Sequence, residues 1–343
     1  MKSRYISDLR EGDIIEDVFL VSSKAVGNTR TGDPYLKLSL SDKSGSINAV
    51  KWGATQGEID SFVEMDYVTV RGSVGSYQGQ PQLRIDSIQK PSTQIDPSDF
   101  LPVSQKSSDE MFEELMAIVD EVKNPQLRTL LSAFFEDPQT SRKFKEAPAA
   151  IRVHHAYLGG LLEHTLNVVK SCNSLATIYP EVNRDILLTA AALHDIGKMQ
   201  EYEWKPAFRF TDAGHFVGHV VGGAMMVKEA ADRIDGFDEV LNLALQHAIL
   251  SHHGHKEYGS PKLPKSLEAM IVHVADELDA DAAMYRAAVE DAADDSGSSL
   301  FTKRHFFLDR PLFKGLPTPN EPEEQSFEPG LFSADTEYDP FAD

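Results

Sequence analysis

The sequence has a single cysteine in 343 residues, Cys172, which rules out a disulfide framework and a cysteine zinc site. Cys172 falls in an apolar helical pattern and reads as a small core residue of a chain suited to a reducing cytoplasm. No apolar run is long enough to span a bilayer, so no membrane partner is expected. The opening Met-Lys-Ser-Arg-Tyr-Ile-Ser-Asp-Leu-Arg lacks the apolar core of a signal peptide. Cations are scarce as well: 33 Lys and Arg stand against 54 Asp and Glu, a formal net charge of −21. That balance excludes a broad basic surface coating duplex DNA. The deficit is uneven, because residues 1–90 hold 11 Lys and Arg against 12 Asp and Glu. A local nucleic-acid groove in that segment is therefore still allowed. The length suggests two or three domains, each able to bury its own core.

Residues 1–90 read as short strands. Ile14–Val21 is followed by a polar loop, Gly27-Asn28-Thr29-Arg30-Thr31-Gly32-Asp33, and then by Tyr35–Ser41, where Leu36, Leu38 and Leu40 share one face. Such strict alternation marks a half-buried strand. Asp42-Lys43-Ser44-Gly45 turns into Ser46–Trp52; a short helical piece around Ile59–Phe62 precedes Tyr67–Val74; and Tyr77-Gln78-Gly79-Gln80 turns into Pro81–Ile88. Five strands with a helical link between the third and fourth fit a small closed Greek-key barrel. The run YLKLSLSDKSGSINAVKW resembles the nucleic-acid-binding OB-folds. Such barrels stack bases on aromatic rings and track phosphates with Lys or Arg. Tyr35 and Lys37, outward on the strand whose leucines point in, suit that use, with Arg71, Tyr77, Arg84 and Trp52 as further candidates. The alternative places Trp52 and Tyr67 in the barrel core.

Residues 91–107 are rich in Pro and Ser and read as a linker. A helix follows from near Ser108, with Met111, Phe112, Leu115, Met116, Val119 and Val122 on one stripe and Asn124-Pro125 as its end. The next carries Leu127, Leu130, Leu131, Phe134 and Phe135, so residues 108–150 form a helical connector. From 151 to 290 the pattern is helical nearly throughout, and 291–343 is an extension with an acidic tail, read as flexible from Leu316.

Eleven of the twelve histidines lie between His154 and His273. His164 sits on an apolar helix; His194 and Asp195 close the next, in Ala190-Ala191-Ala192-Leu193-His194-Asp195-Ile196-Gly197-Lys198; His219 follows Gly218; His252 and His253 end a third; Asp276 lies in a late helix. Four imidazoles and two carboxylates from separate helices can build a nitrogen and oxygen site for one or two divalent ions. Asp195 has a second oxygen to reach another ion, Gly197 would let the chain turn, and Lys198 would bring a cation back over the site.

The order His164, His194-Asp195, His219, His252, Asp276 resembles the HD-domain metal-dependent phosphohydrolases, whose segments read like ALHDIGK here. The resemblance implies an all-α HD domain over residues 151–290. It implies that His164, His194, Asp195 and Asp276 hold one ion, and Asp195, His219 and His252 a second, with either member of the His252–His253 doublet open as the ligand. Lys198 would face the phosphate, and His253, with His155 as the alternative, would move protons. Gly160 stands where cyclic-nucleotide phosphodiesterases of this superfamily carry a proton-donating His. Glu257-Tyr258-Gly259-Ser260-Pro261 replaces the Gly-Tyr-Pro of the cyclic-di-GMP-degrading branch.

An OB-fold ahead of an HD domain is similar to the YhaM family of 3′→5′ exoribonucleases, which HHAYLGGLLEHT, LSHHGHKEYGSPKLPKSLEA and VADELDA also resemble. This implies metal-dependent removal of nucleotides from the 3′ ends of single-stranded RNA, with single-stranded DNA as a secondary substrate. The expected cofactor is one or two divalent ions, manganese first and cobalt, iron, nickel, zinc or magnesium as alternatives. A homo-oligomer is left open. Two other functions stay in view: an HD nucleotidase or phosphodiesterase acting on small nucleotides, and a non-catalytic RNA-binding adaptor.

Overall fold

A computed structural model of the chain describes residues 2–92, 95–151, 155–206, 208–292 and 300–316. The acidic tail from 317 onward and His154 lie outside them. The chain divides into two compact units, Met1–Met284 and Tyr285–Asp343.

The first unit begins with β1 (Ile14–Asn28), β2 (Pro34–Asp42), β3 (Gly45–Trp52), β4 (Tyr67–Tyr77) and β5 (Gln80–Gln89), with α1 (Gln56–Asp60) between β3 and β4. They close in the order β1-β2-β3-β5-β4. The β3–β5 pair is parallel and the other pairs antiparallel. The alternation expected of β2 holds, because Leu36, Leu38 and Leu40 are buried together with Phe19, Ala49, Val70 and Leu83. One strand differs from expectation: β1 runs on through Gly27 and Asn28, which pair with Tyr35 and Pro34. A bulge between Val21 and Ser23 shifts its register, and the loop shrinks to the residues before Pro34.

The segment after β5 is anchored at both ends. Its Asp99 accepts from the Lys43 amide at 3.1 Å and from the Tyr5 hydroxyl at 2.6 Å. Phe100 packs on Tyr67, ring centroids 4.8 Å apart, and Val103 bridges to Leu158.

The helical part runs through α2 (Ser108–Val119), α3 (Pro125–Phe135), α4 (Pro138–Glu146), α5 (Gly160–Leu175), α6 (Arg184–Leu193), α7 (Lys198–Glu201), α8 (Asp212–Phe216), α9 (Gly218–Asp232), α10 (Glu239–Ser251) and α11 (Leu267–Asp291). Asn124-Pro125 starts a helix instead of ending one. α2 stops at Val119, and the Asn124 side chain caps α3 with Pro125 in its first turn, where proline lacks only an amide that no helix bond would use. The helical run is also interrupted by β6 (Tyr202–Glu203) and β7 (Arg209–Phe210), a small pair around Pro206. The helices share one apolar core that includes Leu115, Leu131, Leu162, Cys172, Leu188, Ile249 and Val272. No helix among the described residues is long and apolar enough to cross a membrane.

In the second unit the amphipathic stretch after Leu300 folds back on itself, through bridges between Phe301 and Phe313 and between His305 and Arg310.

Candidate metal centre

α6 ends in a run of buried small residues, and the next two positions, His194 and Asp195, are held at 0% and 1% exposure. His194 Nδ1–H donates to Ala191 O at 2.7 Å, so its Nε2 keeps a free lone pair. His164, one turn into α5, donates from Nδ1 to Asp279 Oδ2 at 2.8 Å. Its Nε2 lies 3.1 Å from His194 Nε2, 3.1 Å from Asp276 Oδ1 and 3.4 Å from Asp195 Oδ2. These nitrogens and carboxylates form one cluster.

A second cluster stands on the other side of Asp195. Its Oδ1 is 3.6 Å from His219 Nε2 on α9 and 3.5 Å from His252 Nε2 at the end of α10. His252 Nδ1–H donates to Ile249 O at 2.7 Å and His253 Nδ1–H to Tyr258 O at 2.8 Å. His253 Nε2 then lies 3.3 Å from His219 Nε2, so both members of the doublet present a ring nitrogen to the same place. Asp195 thus divides its two oxygens between two sets of imidazoles.

Two buried acceptor atoms here, Asp195 Oδ1 and His252 Nε2, have no hydrogen-bond donor. Desolvated acceptors facing one another are costly unless a cation joins them. The donors are imidazole nitrogens and carboxylate oxygens without thiolate, and a first-row divalent ion fits that set. Burial alone would discharge Asp195, but Lys198 and His194 beside it hold its pKa well below the usual carboxylate range. Burial likewise opposes a proton on His164, and hydrogen bonds to Asp195, Asp276 and Asp279 outweigh it, raising that pKa well above the imidazole norm. His252 and His253 are pushed down, by burial first and then by a neighbouring imidazole, and stay neutral.

Gly197 lies in the turn between α6 and α7, as expected, but it is packing and not the turn that requires a glycine there. Its φ of −64° is ordinary helix, but a Cβ there would lie 2.2 Å from His219 O and 2.6 Å from Gly223 N. Only glycine lets α7 approach α9 that closely, which brings His219 to Asp195. Lys198 is buried with its Nζ 2.6 Å from Asp195 Oδ2, so its cation reaches the site through that carboxylate.

Sequence reasoning missed the groups that orient the imidazoles. Glu201 Oε1 accepts the His219 amide at 3.0 Å while its Oε2 lies 2.7 Å from His219 Nδ1. Asp279 Oδ2, besides holding His164, is 2.8 Å from His155 Nε2, and Asn167 donates to Oδ1 at 2.9 Å. His155 is held at its other nitrogen by the Tyr157 hydroxyl at 2.7 Å, and Tyr157 donates to Glu163 at 2.8 Å. His155 therefore sits behind His164, where it shares Asp279. Partners of this kind fix tautomers and ring orientation. Asp279 lies one helical turn past Asp276, yet with 54 acids in the chain that spacing carries no signal of its own.

The barrel candidates divide. Trp52 is 57% exposed, with its ring centroid 4.9 Å from that of Tyr35, so it is not core. Tyr67 is half-buried and donates to Pro206 O at 3.0 Å. Lys37 and Arg84 both lie opposite Val50, on either side of β3, next to the aromatic pair. Arg71 pairs instead with Glu16, and Tyr77 stands across from Gln80 at the β4–β5 hairpin. The register therefore sets Tyr35, Lys37, Trp52 and Arg84 on adjoining strands; Arg84 also lies opposite Ser73 on β4, two positions from Arg71 and four from Tyr77.

Comparison with known proteins gives two family matches: an HD domain over residues 161–281 and an OB-fold nucleic acid binding domain over residues 20–91. The chain is similar to the 3′-5′ exoribonuclease YhaM of Halalkalibacterium halodurans, 34% identical over 84% of this chain and 90% of the relative. The protein of that name from Bacillus subtilis is 33% identical over 81% and 88%, and that from Listeria innocua 34% over 80% and 87%.

Proposed function

The chain belongs to the YhaM family of 3′-5′ exoribonucleases and is a metal-dependent enzyme of that kind; we propose that it holds single-stranded RNA on the barrel and hydrolyses the terminal phosphodiester in the helical centre. The observation that carries the site assignment is the division of the Asp195 oxygens between two imidazole sets. His164, His194, Asp195 and Asp276 would hold one divalent ion; Asp195, His219 and His252, with His253 beside them, would hold a second. Ions bound there would acidify water and neutralise charge on the scissile phosphate. Manganese is the ion to test first, since the oxygen and nitrogen donors accept it readily.

The chain's own residues set the rest. Asp195 stays ionised because Lys198 is paired with it, and the same ammonium adds positive charge where a phosphate would enter. His253 keeps a lone pair on Nε2 through its bond to Tyr258 O, so it can complete the second set of ligands or accept a proton. Tyr35 and Trp52 offer a stacking surface and Lys37 and Arg84 flanking cations, the combination that holds single strands with little regard to sequence. Single-stranded DNA is a secondary substrate on this reading. The domain limits that go with it are 1–90 for the strand-binding barrel and 151–290 for the catalytic region, and the compartment is the cytoplasm.

The test uses RNA labelled at the 5′ end, with manganese and the full chain. A ladder shortening from the 3′ end is expected, stopping on addition of chelator. A 3′-phosphate block should stall it, and an RNA cut internally or from the 5′ end would overturn the reading.

A further inference from the structure

A cleft of about 830 Å³ opens between the segment after β5 and the helices, with neither Tyr35 nor Trp52 in its lining. Five cations line it, of which Lys2 is fully buried on Asp42, Lys106 pairs with Glu163 and Lys145 pairs with Asp109, leaving Arg142 and Lys205. The acids of the lining are Asp96, Asp99 and Glu146. Arg142 and Lys205 share the single carboxylate of Glu146, each at 3.0 Å. Their side chains are 75% and 51% exposed. Exposed pairs of this sort bind weakly and exchange partners, so these cations are open to another anion.

The outer face of β2 and β3 leads toward the cleft. The outer rows of β2 and β3 lead from Tyr35 and Trp52, past Lys37 and Val50, then Ser39 and Asn48, to the turn at Asp42–Gly45. Within that turn the Lys43 amide donates to O of Asp99, a residue of the cleft lining, at 3.1 Å. The far wall includes Leu158 and Gly159, directly before α5, which carries His164. We propose that this cleft binds the phosphodiester backbone of single-stranded RNA as it passes from the barrel toward the helical centre. The proposal rests on the exoribonuclease reading and assigns the phosphate contacts that the barrel face, with only Lys37 and Arg84 beside its aromatic pair, does not supply.

The test is the double variant R142Q/K205Q in the full chain, neither of whose positions belongs to the metal centre. Fluorescence anisotropy with a single-stranded RNA of about 20 nucleotides, in chelator, should show a Kd raised about tenfold. The slope of log Kd against log salt should fall by about 1.4, as for two lost phosphate contacts on a single strand. Turnover of a dinucleotide, too short to reach the cleft from the centre, should be unchanged in manganese, which also reports an intact fold. R142Q alone, on the more exposed of the two side chains, should give about half of the change in slope. If the wild type leaves RNA intact, the exoribonuclease reading fails and this proposal with it. If the wild type shortens RNA while both variants keep its Kd and its salt slope, the cleft assignment alone is overturned.

Discussion

The barrel carries its candidate side chains outside its core, and the helical centre carries them within. Around the barrel they stand outside a core built without them: Trp52 is 57% exposed, while Leu36, Leu38 and Leu40 close the interior. In the helical centre the working side chains are the interior, with His164, His194 and His252 at 0% exposure and Asp195 at 1%. A barrel can therefore lose its ligand-binding residues and keep its shape. The centre holds charged and polar groups in a place that only further charges, a bound ion or both make tolerable. Substitutions in the two regions should separate along that line.

The largest effect falls on Asp195. Asp195→Asn keeps the volume but gives up the second charged oxygen, so RNA shortening should drop at least about 10²–10³-fold. The Kd for RNA in chelator should stay near wild type, because the barrel is untouched. A variant that still shortens RNA at the wild-type rate would remove Asp195 from the mechanism. Next comes Gly197→Ala. The added Cβ meets main-chain atoms of α9, at 2.2 Å from His219 O and 2.6 Å from Gly223 N, so the helix itself must move. A loss of about 1–3 kcal/mol in denaturant unfolding is expected, together with weakened manganese binding, since His219 is displaced from Asp195.

The two regions were also unequally legible in the sequence. Alternation along Leu36, Leu38 and Leu40 identified a strand and its outward neighbours Tyr35 and Lys37, because a period of two relates each residue directly to a face. Arg71 and Tyr77 satisfied the same chemistry, but only pairing register shows that Arg71 lies opposite Glu16 on one side and two positions from the partner of Arg84 on the other. In the helical part the clustered histidines were legible because histidine is rare and here concentrated. Their supports, Glu201 and Asp279, were not: an acid on a helix is usually solvated, and only the packing of α7 on α9 and the reach of α11 make these two buried partners. The start of α3 was misread because Pro125 stops one helix and begins another with equal ease.

Asp279→Asn tests those supports. The amide has one acceptor oxygen and no charge, so it cannot serve both Asn167 and His164, and the hold on the His164 Nδ1 proton weakens. Manganese affinity, measured by isothermal titration, should fall about 10- to 100-fold, with partial recovery in Asp279→Glu. Unchanged affinity would make Asp279 a packing residue only. On the barrel side, Trp52→Ala should cost about 1–3 kcal/mol of RNA binding, one stacked base. Unfolding free energy should remain within about 0.5 kcal/mol of wild type, as for other exposed positions. If Trp52→Ala instead unfolds the barrel, the separation of binding surface from core fails there.

The smallest effect, and the closest comparison with Gly197, belongs to Gly27. Gly27 faces Tyr35 across β1 and β2, and a Cβ on it would fall 2.6–2.7 Å from atoms of the tyrosine ring. The obstacle is a side chain and not a backbone, so it can give way. In Gly27→Ala, Tyr35 should rotate off its seat and lose its contact with Trp52, at 4.9 Å between centroids in the wild type. RNA binding should weaken by less than the loss of a whole stacked base, about two- to fivefold, with manganese affinity and dinucleotide turnover unchanged. The same added methyl would thus cost stability and metal at Gly197 but only a fraction of strand affinity at Gly27. The difference is whether the atom in the way can turn aside. Equal losses of stability in the two alanine variants would mean that the aromatic pair is part of the barrel's structure, and that the outer face is not free of the fold after all.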